Sequence, residues 1–140
     1  MSALSRETLS RLATSIAESA TPPAPSALEA APLLVAWAPV LAMHRPCLMG
    51  RVFGHPDQED GADLQTTPII AFHAEAGYAR SVSRWYRLGT PIHEADPDLA
   101  AHMKAKASPY LMLAEPEVYA AAVREERLRA EGLIKARLDA

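Results

Sequence analysis

The chain has 140 residues, the length of one domain. Apolar residues make up 49% and charged residues 22%, a balance that excludes a disordered or low-complexity protein. A net charge of −3 argues against a wholesale nucleic-acid binder, and no apolar run nears the roughly 20 residues that cross a bilayer.

Residues 3–20 read as an amphipathic helix. Leu9, Leu12 and Ile16 recur at i, i+3 and i+7, with Ala13 and Ala17 beside them. Arg6, Glu7, Arg11 and Glu18 take the other positions, and charges this early are wrong for a secretory signal. The prolines of "TPPAPS" (21–26) break the helix. This divides the chain into a helical arm (1–20), a linker (21–26) and one α+β domain (27–140). Ser26 followed by Glu29 has capping-box spacing and predicts a second helix, ended by Pro39. "LLVAW" (33–37) is buried in any conformation, with Trp37 as the anchor to the rest.

The middle changes period. The segments 47–54, 63–73 and 78–89 carry β-branched and aromatic residues between glycine-bearing turns, which predicts a three-stranded antiparallel meander. Pro68 conflicts with a middle strand bonded on both sides, because proline cannot donate. A bend at Pro68 resolves it. The first half then pairs with 47–54 and the second with 78–89, curling a small sheet toward a half-barrel.

After Gly89 the chain turns helical. Asp96 caps and Pro97 opens a short helix over 97–106. "SPYLML" (108–113) reads as extended, a candidate fourth strand. From Pro116 to about residue 139 runs one long helix with Glu125–Arg129 and Glu131–Lys135 at i, i+4. About 25 residues at ~1.5 Å each reach nearly 40 Å, more than a small domain covers. Its far end, with Leu133, Ile134 and Leu138, is therefore a candidate surface for a homodimer or another protein.

The richest concentration of polar chemistry is "GHPDQEDG" (54–61). His-Pro and Asp-Gly are turn signals, and short acids there accept from exposed amides. An EF-hand fails because Gly61 at loop position 6 would put Pro56 at position 1. Cys47, His55 and His73 offer metal ligands or a thiol and base, but no pair has H-x-x-x-H or C-x-x-C spacing. The one cysteine also excludes an intrachain disulfide. The turn is the stronger reading, so no catalytic residue, metal or cofactor is assigned. An enzyme or metalloprotein built on Cys47, His55 and His73 remains the third-ranked alternative.

"RSVSRWYR" (80–87) is the most informative surface. On one strand Arg80, Val82, Arg84 and Tyr86 share a face, while Ser81, Ser83, Trp85 and Arg87 share the other. Arginine interleaved with aromatics suits protein interfaces and also single-stranded nucleic acid. The plainer alternative is a core Trp85, with Arg80 and Arg84 paired to the acids of 57–63.

Residues 47–91 also resemble a pattern found in short, uncharacterised bacterial proteins of a family of unknown function, and in small phage and plasmid proteins. The resemblance rests on Gly50, Gly54-His55-Pro56, Gly61, Thr66-Thr67, Ala79-Arg80, Ser83 and Tyr86-Arg87-Leu88-Gly89. Family members often carry threonine-serine at the Thr66-Thr67 position. It implies a small β domain of bacterial or mobile-element origin and transfers no activity.

The expectation is an α+β protein of the cytoplasm: a non-catalytic interaction module with no membrane and no cofactor. It binds a protein partner through Arg80, Arg84, Trp85, Tyr86 and Arg87, or through Leu133, Ile134 and Leu138. An inhibitor of a host defence complex is the specific form that association suggests. Nucleic-acid binding by the 80–87 strand is the alternative.

Overall fold

Ser5 opens the first helix by accepting the Thr8 amide on its Oγ at 3.0 Å, so α1 (Arg6–Ser19) begins capped. The computed structural model describes residues 5–138, with side chains to Arg137. The expected helical start at residue 3, the helical end at 139 and the Leu138 side chain lie outside the described residues. α1 docks against the body of the protein, burying Leu9, Ser15 and Ser19. Pro25 then occupies the first turn of a single-turn helix, α2 (Pro25–Ala30).

The next segment departs from the expected helix. Ala24, not Ser26, precedes α2 and offers no side-chain cap, and residues 33–42 form a strand, β1 (Leu33–Ala42). β1 carries a bulge between Val35 and Ala38, where Ala36 takes a φ of +50°. The bulge turns Leu34 and Trp37 toward the same core, with Leu41 against it, while Ala38 and Val40 enter a second cluster. That spacing of i, i+3, i+7 is what imitates a helix. β1 folds back on β2 (Arg45–Phe53) through a two-residue turn at Met43 and His44.

The sheet is a second correction. It has seven strands and is mixed, rather than three strands and antiparallel. β3 (Ala62–Gln65), β4 (Ile69–His73), β5 (Tyr78–Ser81) and β6 (Trp85–Leu88) give the order β3-β2-β1-β6-β5-β4, with β1 and β6 parallel. The short β7 (Leu111–Leu113) pairs with the second half of β1. Pro39 falls between the stretches of β1 that meet β6 and β7, where a missing N–H costs least.

The 63–73 segment breaks around Pro68, with β3 pairing to β2 and β4 to β5. The Leu48 amide donates to Thr66 Oγ1 at 2.9 Å, and the Val82 amide donates to the Pro68 carbonyl at 3.0 Å. The two edges of the sheet, β3 and β4, are thus joined by residues 66–68 alone. Three residues reach only about 10 Å, so the sheet curls into a nearly closed barrel. The expected strand over 78–89 also breaks: residues 82–84 form a turn between β5 and β6, so the alternation predicted for 80–87 does not hold.

Two short helices, α3 (Ile92–Ala95) and α4 (Pro97–Ala105), follow, the latter capped by Asp96 on the Leu99 amide at 3.1 Å. The long helix α5 (Pro116–Leu138) lays Tyr119 and Val123 into the core of Leu34, Trp37, Leu48, Val52, Ile69 and Tyr86. Tyr119 donates to the buried Cys47 carbonyl at 2.8 Å. Farther along, Arg127 reaches Ser19 Oγ and the Ile16 carbonyl of α1, so α1 and α5 brace each other over the barrel.

Candidate functional site

The 54–61 stretch is a hairpin loop between β2 and β3. Gly54 and Gly61 take φ of +75° and +85°, and Asp60 Oδ1 accepts the Gly54 amide at 2.8 Å. His55 Nδ1 accepts the Asp57 amide at 3.0 Å, and its ring stacks on Tyr86 with centroids 6.4 Å apart. Cys47 sits elsewhere, with Ala38, Val40 and Ile92, and burial pushes its thiol pKa up. His73 is exposed, against Tyr78. Among the described residues, no three His, Cys, Asp or Glu side chains gather as metal ligands.

The 80–87 residues part company. Arg80 is buried: it donates to Ser15 Oγ at 3.1 Å, pairs with Glu18 at 3.0 Å, and lies 5.6 Å from the Trp85 ring centre. Burial lowers its pKa first, Glu18 opposes this, and Arg84 adds to the lowering. Tyr86 is 3% exposed and belongs to the core. Arg87 Nε donates to the Ala31 carbonyl at 3.0 Å and ties α2 to the barrel. Trp85 is half-buried, with the edge of Tyr78 at 5.6 Å and Arg80 over its face. Arg84 remains accessible at the turn, its nearest carboxylate Asp57 at 3.8 Å. Pairing of Arg80 to the acids of 57–63 is therefore replaced by pairing to Glu18, a residue of α1.

What the fold creates around these residues is a groove. One lobe, about 520 Å³, lies between α1 and the 82–84 turn and is lined by Arg11, Thr14, Ser15, Arg80, Ser83 and Arg84, among others. A second lobe, about 410 Å³, lies between α1, α5 and the 66–68 link, with Leu12, Arg45, Thr67, Glu126, Arg129 and Leu133 in its walls. Arg11 and Val82 line both lobes, so the two lobes adjoin there. At its middle the Thr67 and Ser83 hydroxyls meet at 3.1 Å.

The second lobe is held by a pair the sequence did not reveal. Glu126, 4% exposed, accepts both Nε and NH2 of Arg45, and this bond raises the Arg45 pKa. Glu126 lies on the face of α5 shared with Val123 and Ala130, both buried. A carboxylate three residues after one apolar residue and four before another, all on one helix face, was the available signal. Leu133, predicted as a contact, lines this lobe at 38% exposure, and Ile134 is half-buried. Leu128 is more open, at 66%. The groove thus brings Arg84 and Leu133, from two separately predicted surfaces, into one trough.

A separate apolar cavity of about 410 Å³ lies under α3 and α4, walled by Trp37, Phe72, Ile92, Leu113 and Tyr119. Nothing in the sequence pattern marked it, because its walls come from six elements. Among the described residues, no helix is long and apolar enough to cross a membrane.

No curated protein and no solved structure matches the chain. A family model does, described as a family of unknown function (DUF6634), over residues 1–124. The match takes in α1, the whole barrel and the start of α5, so it includes every residue of the first lobe. The chain belongs to this family of unknown function.

Proposed function

We propose that the chain is a cytoplasmic, non-catalytic interaction module that receives an acidic stretch of a protein partner along the groove between α1, α5 and the two turns. The meeting of the two lobes at Arg11 and Val82 carries this reading. An extended segment laid there meets Arg84 at one end, Arg11 at the middle, and Arg129 with Leu133 at the other. Such a trough combines cationic and apolar contacts in a chain whose net charge is −3. A bacterial phage or plasmid setting, with a host defence complex as partner, rests on the motif resemblance alone.

Nucleic acid fits less well. Single strands bind by stacking bases on open aromatic faces, whereas Arg80 covers the Trp85 ring and Tyr86 is in the core. Photo-cross-linking tests the proposal, with the reactive residue at Leu133, at Ser83, or at exposed Tyr110 outside the groove. One protein should be trapped from both groove positions, not from Tyr110, and be lost with Arg84→Glu. Equal trapping from Tyr110, or trapping that survives Arg84→Glu, overturns it. Adducts only to a second copy of the chain would make the groove a dimer interface instead.

A further inference from the structure

Arg80 and Arg84 each have a single carboxylate partner among the described residues, and neither carboxylate is buried. The Arg80 side chain is 8% exposed, yet its carboxylate, Glu18, is half in solvent. Asp57, the counter-charge of Arg84, stands 3.8 Å away and is 74% exposed. Both Nε atoms are buried and, among the described residues, have no hydrogen-bond partner. Buried charge is costly unless it is paired and fully hydrogen-bonded. Burial and the neighbouring Arg84 both work against the charged form of Arg80.

The two side chains line the same lobe, with the Ser83 hydroxyl and Arg11 beside them. Among the described residues Arg11 pairs with Glu7 alone, which also lines the lobe, in an exposed i,i+4 pair, and such a pair is worth little. Its guanidinium is therefore free to turn inward at small cost. Guanidinium groups match tetrahedral oxyanions by paired N–H donors, and a hydroxyl adds a further donor.

We infer that the first lobe is a seat for a phosphate-class oxyanion, gripped by Arg84, Arg11 and the Ser83 hydroxyl, with the Arg80 charge behind them. The inference rests on the groove being the binding surface and specifies what its occupant carries: a phosphate group. Its negative charge supplies what Glu18 and Asp57 supply only in part.

Inorganic phosphate is the first probe, read by thermal unfolding against chloride at constant ionic strength. Phosphate should raise the midpoint saturably and chloride should not. Arg84→Gln should weaken the apparent affinity about tenfold or more, as loss of a charge-assisted contact does. Arg51→Gln, exposed and outside both lobes, should leave it unchanged. If Arg84→Gln does not fold, Arg11→Gln on the exposed side of α1 gives the same reading.

A serine peptide and its phosphoserine form then separate two sources of the anion. Tighter binding of the phosphopeptide than of phosphate assigns the group to a partner segment, and equal affinity assigns it to the free ion. A midpoint shift that chloride matches, or that Arg84→Gln and Arg11→Gln both retain, overturns the seat. Arg84-dependent cross-linking without phosphate binding would keep the groove reading and remove this one. Phosphate binding without that cross-linking would do the reverse.

Discussion

His55 shows how a single side chain in a turn couples the fold to pH. The ring is partly buried, which lowers its pKa from the ordinary 6.5. Arg84 lowers it further, and Asp57 opposes. The Nδ1 bond from the Asp57 amide also requires an unprotonated nitrogen. The unfolded chain takes up this proton near pH 6.5, and the folded chain only at lower pH. Stability that is complete above the unfolded value is therefore lost as the pH falls through the folded one. Chemical denaturation between about pH 7 and about pH 5 should show a shallower decline in His55→Gln than in the wild type. Parallel declines would mean that the imidazole contributes nothing to the acid sensitivity.

At the scale of elements, the β1–β2 hairpin turns on residues ill suited to its geometry. Met43 and His44 have φ of +50° and +70°, the signs of a type I′ turn, where asparagine and glycine are the favoured pair. Each non-glycine residue there bears roughly 1 kcal/mol of left-handed strain. Met43→Asn combined with His44→Gly should raise the unfolding free energy by about 1 kcal/mol, because the lost strain outweighs the extra freedom of glycine in the unfolded chain. Denaturant midpoints at unchanged slope are the check, and a lower midpoint would contradict it.

The same turn explains what could be read from the sequence. Without an Asn-Gly or Asp-Gly signal at 43–44, and with a bulge spacing Leu34, Trp37 and Leu41 like a helix, β1 was hidden behind the Ser26–Glu29 pattern. The break near Pro68 was legible, since proline cannot serve a strand bonded on both sides. So were α1, α4 and α5, whose caps and prolines are local signals. At the site, Arg84 and Leu133 could be picked out by residue type. The burial of Arg80 could not, because it depends on Ser15 and Glu18 of a helix more than sixty residues away.

Across the whole molecule, α5 is the element that joins barrel to groove. Its first half inserts Tyr119 between Phe72, at a 5.0 Å ring separation, and the Cys47 carbonyl. Its second half carries Glu126 and Arg127 to Arg45 and α1. Tyr119→Phe keeps the ring and removes one of the bonds to the Cys47 carbonyl, which should cost about 1 kcal/mol. Equilibrium unfolding measures this directly, and an unchanged midpoint would show that the hydroxyl contributes nothing to stability. Because the same helix walls the second lobe, loosening its root should also weaken whatever the groove holds.

The parallel pairing of Leu33 and Leu34 with Arg87 and Leu88 has a temporal consequence. A ribosome delivers the β1–β2 hairpin early, but β6 and β7, which cover the other side of β1, arrive much later. Until then the amides and carbonyls along that flank lack their native partners, a template for pairing with a neighbouring chain. Ring completion across so long a loop is also slow. The protein is thus most prone to misassociation while half made, and translation pauses before residue 88 prolong that exposure.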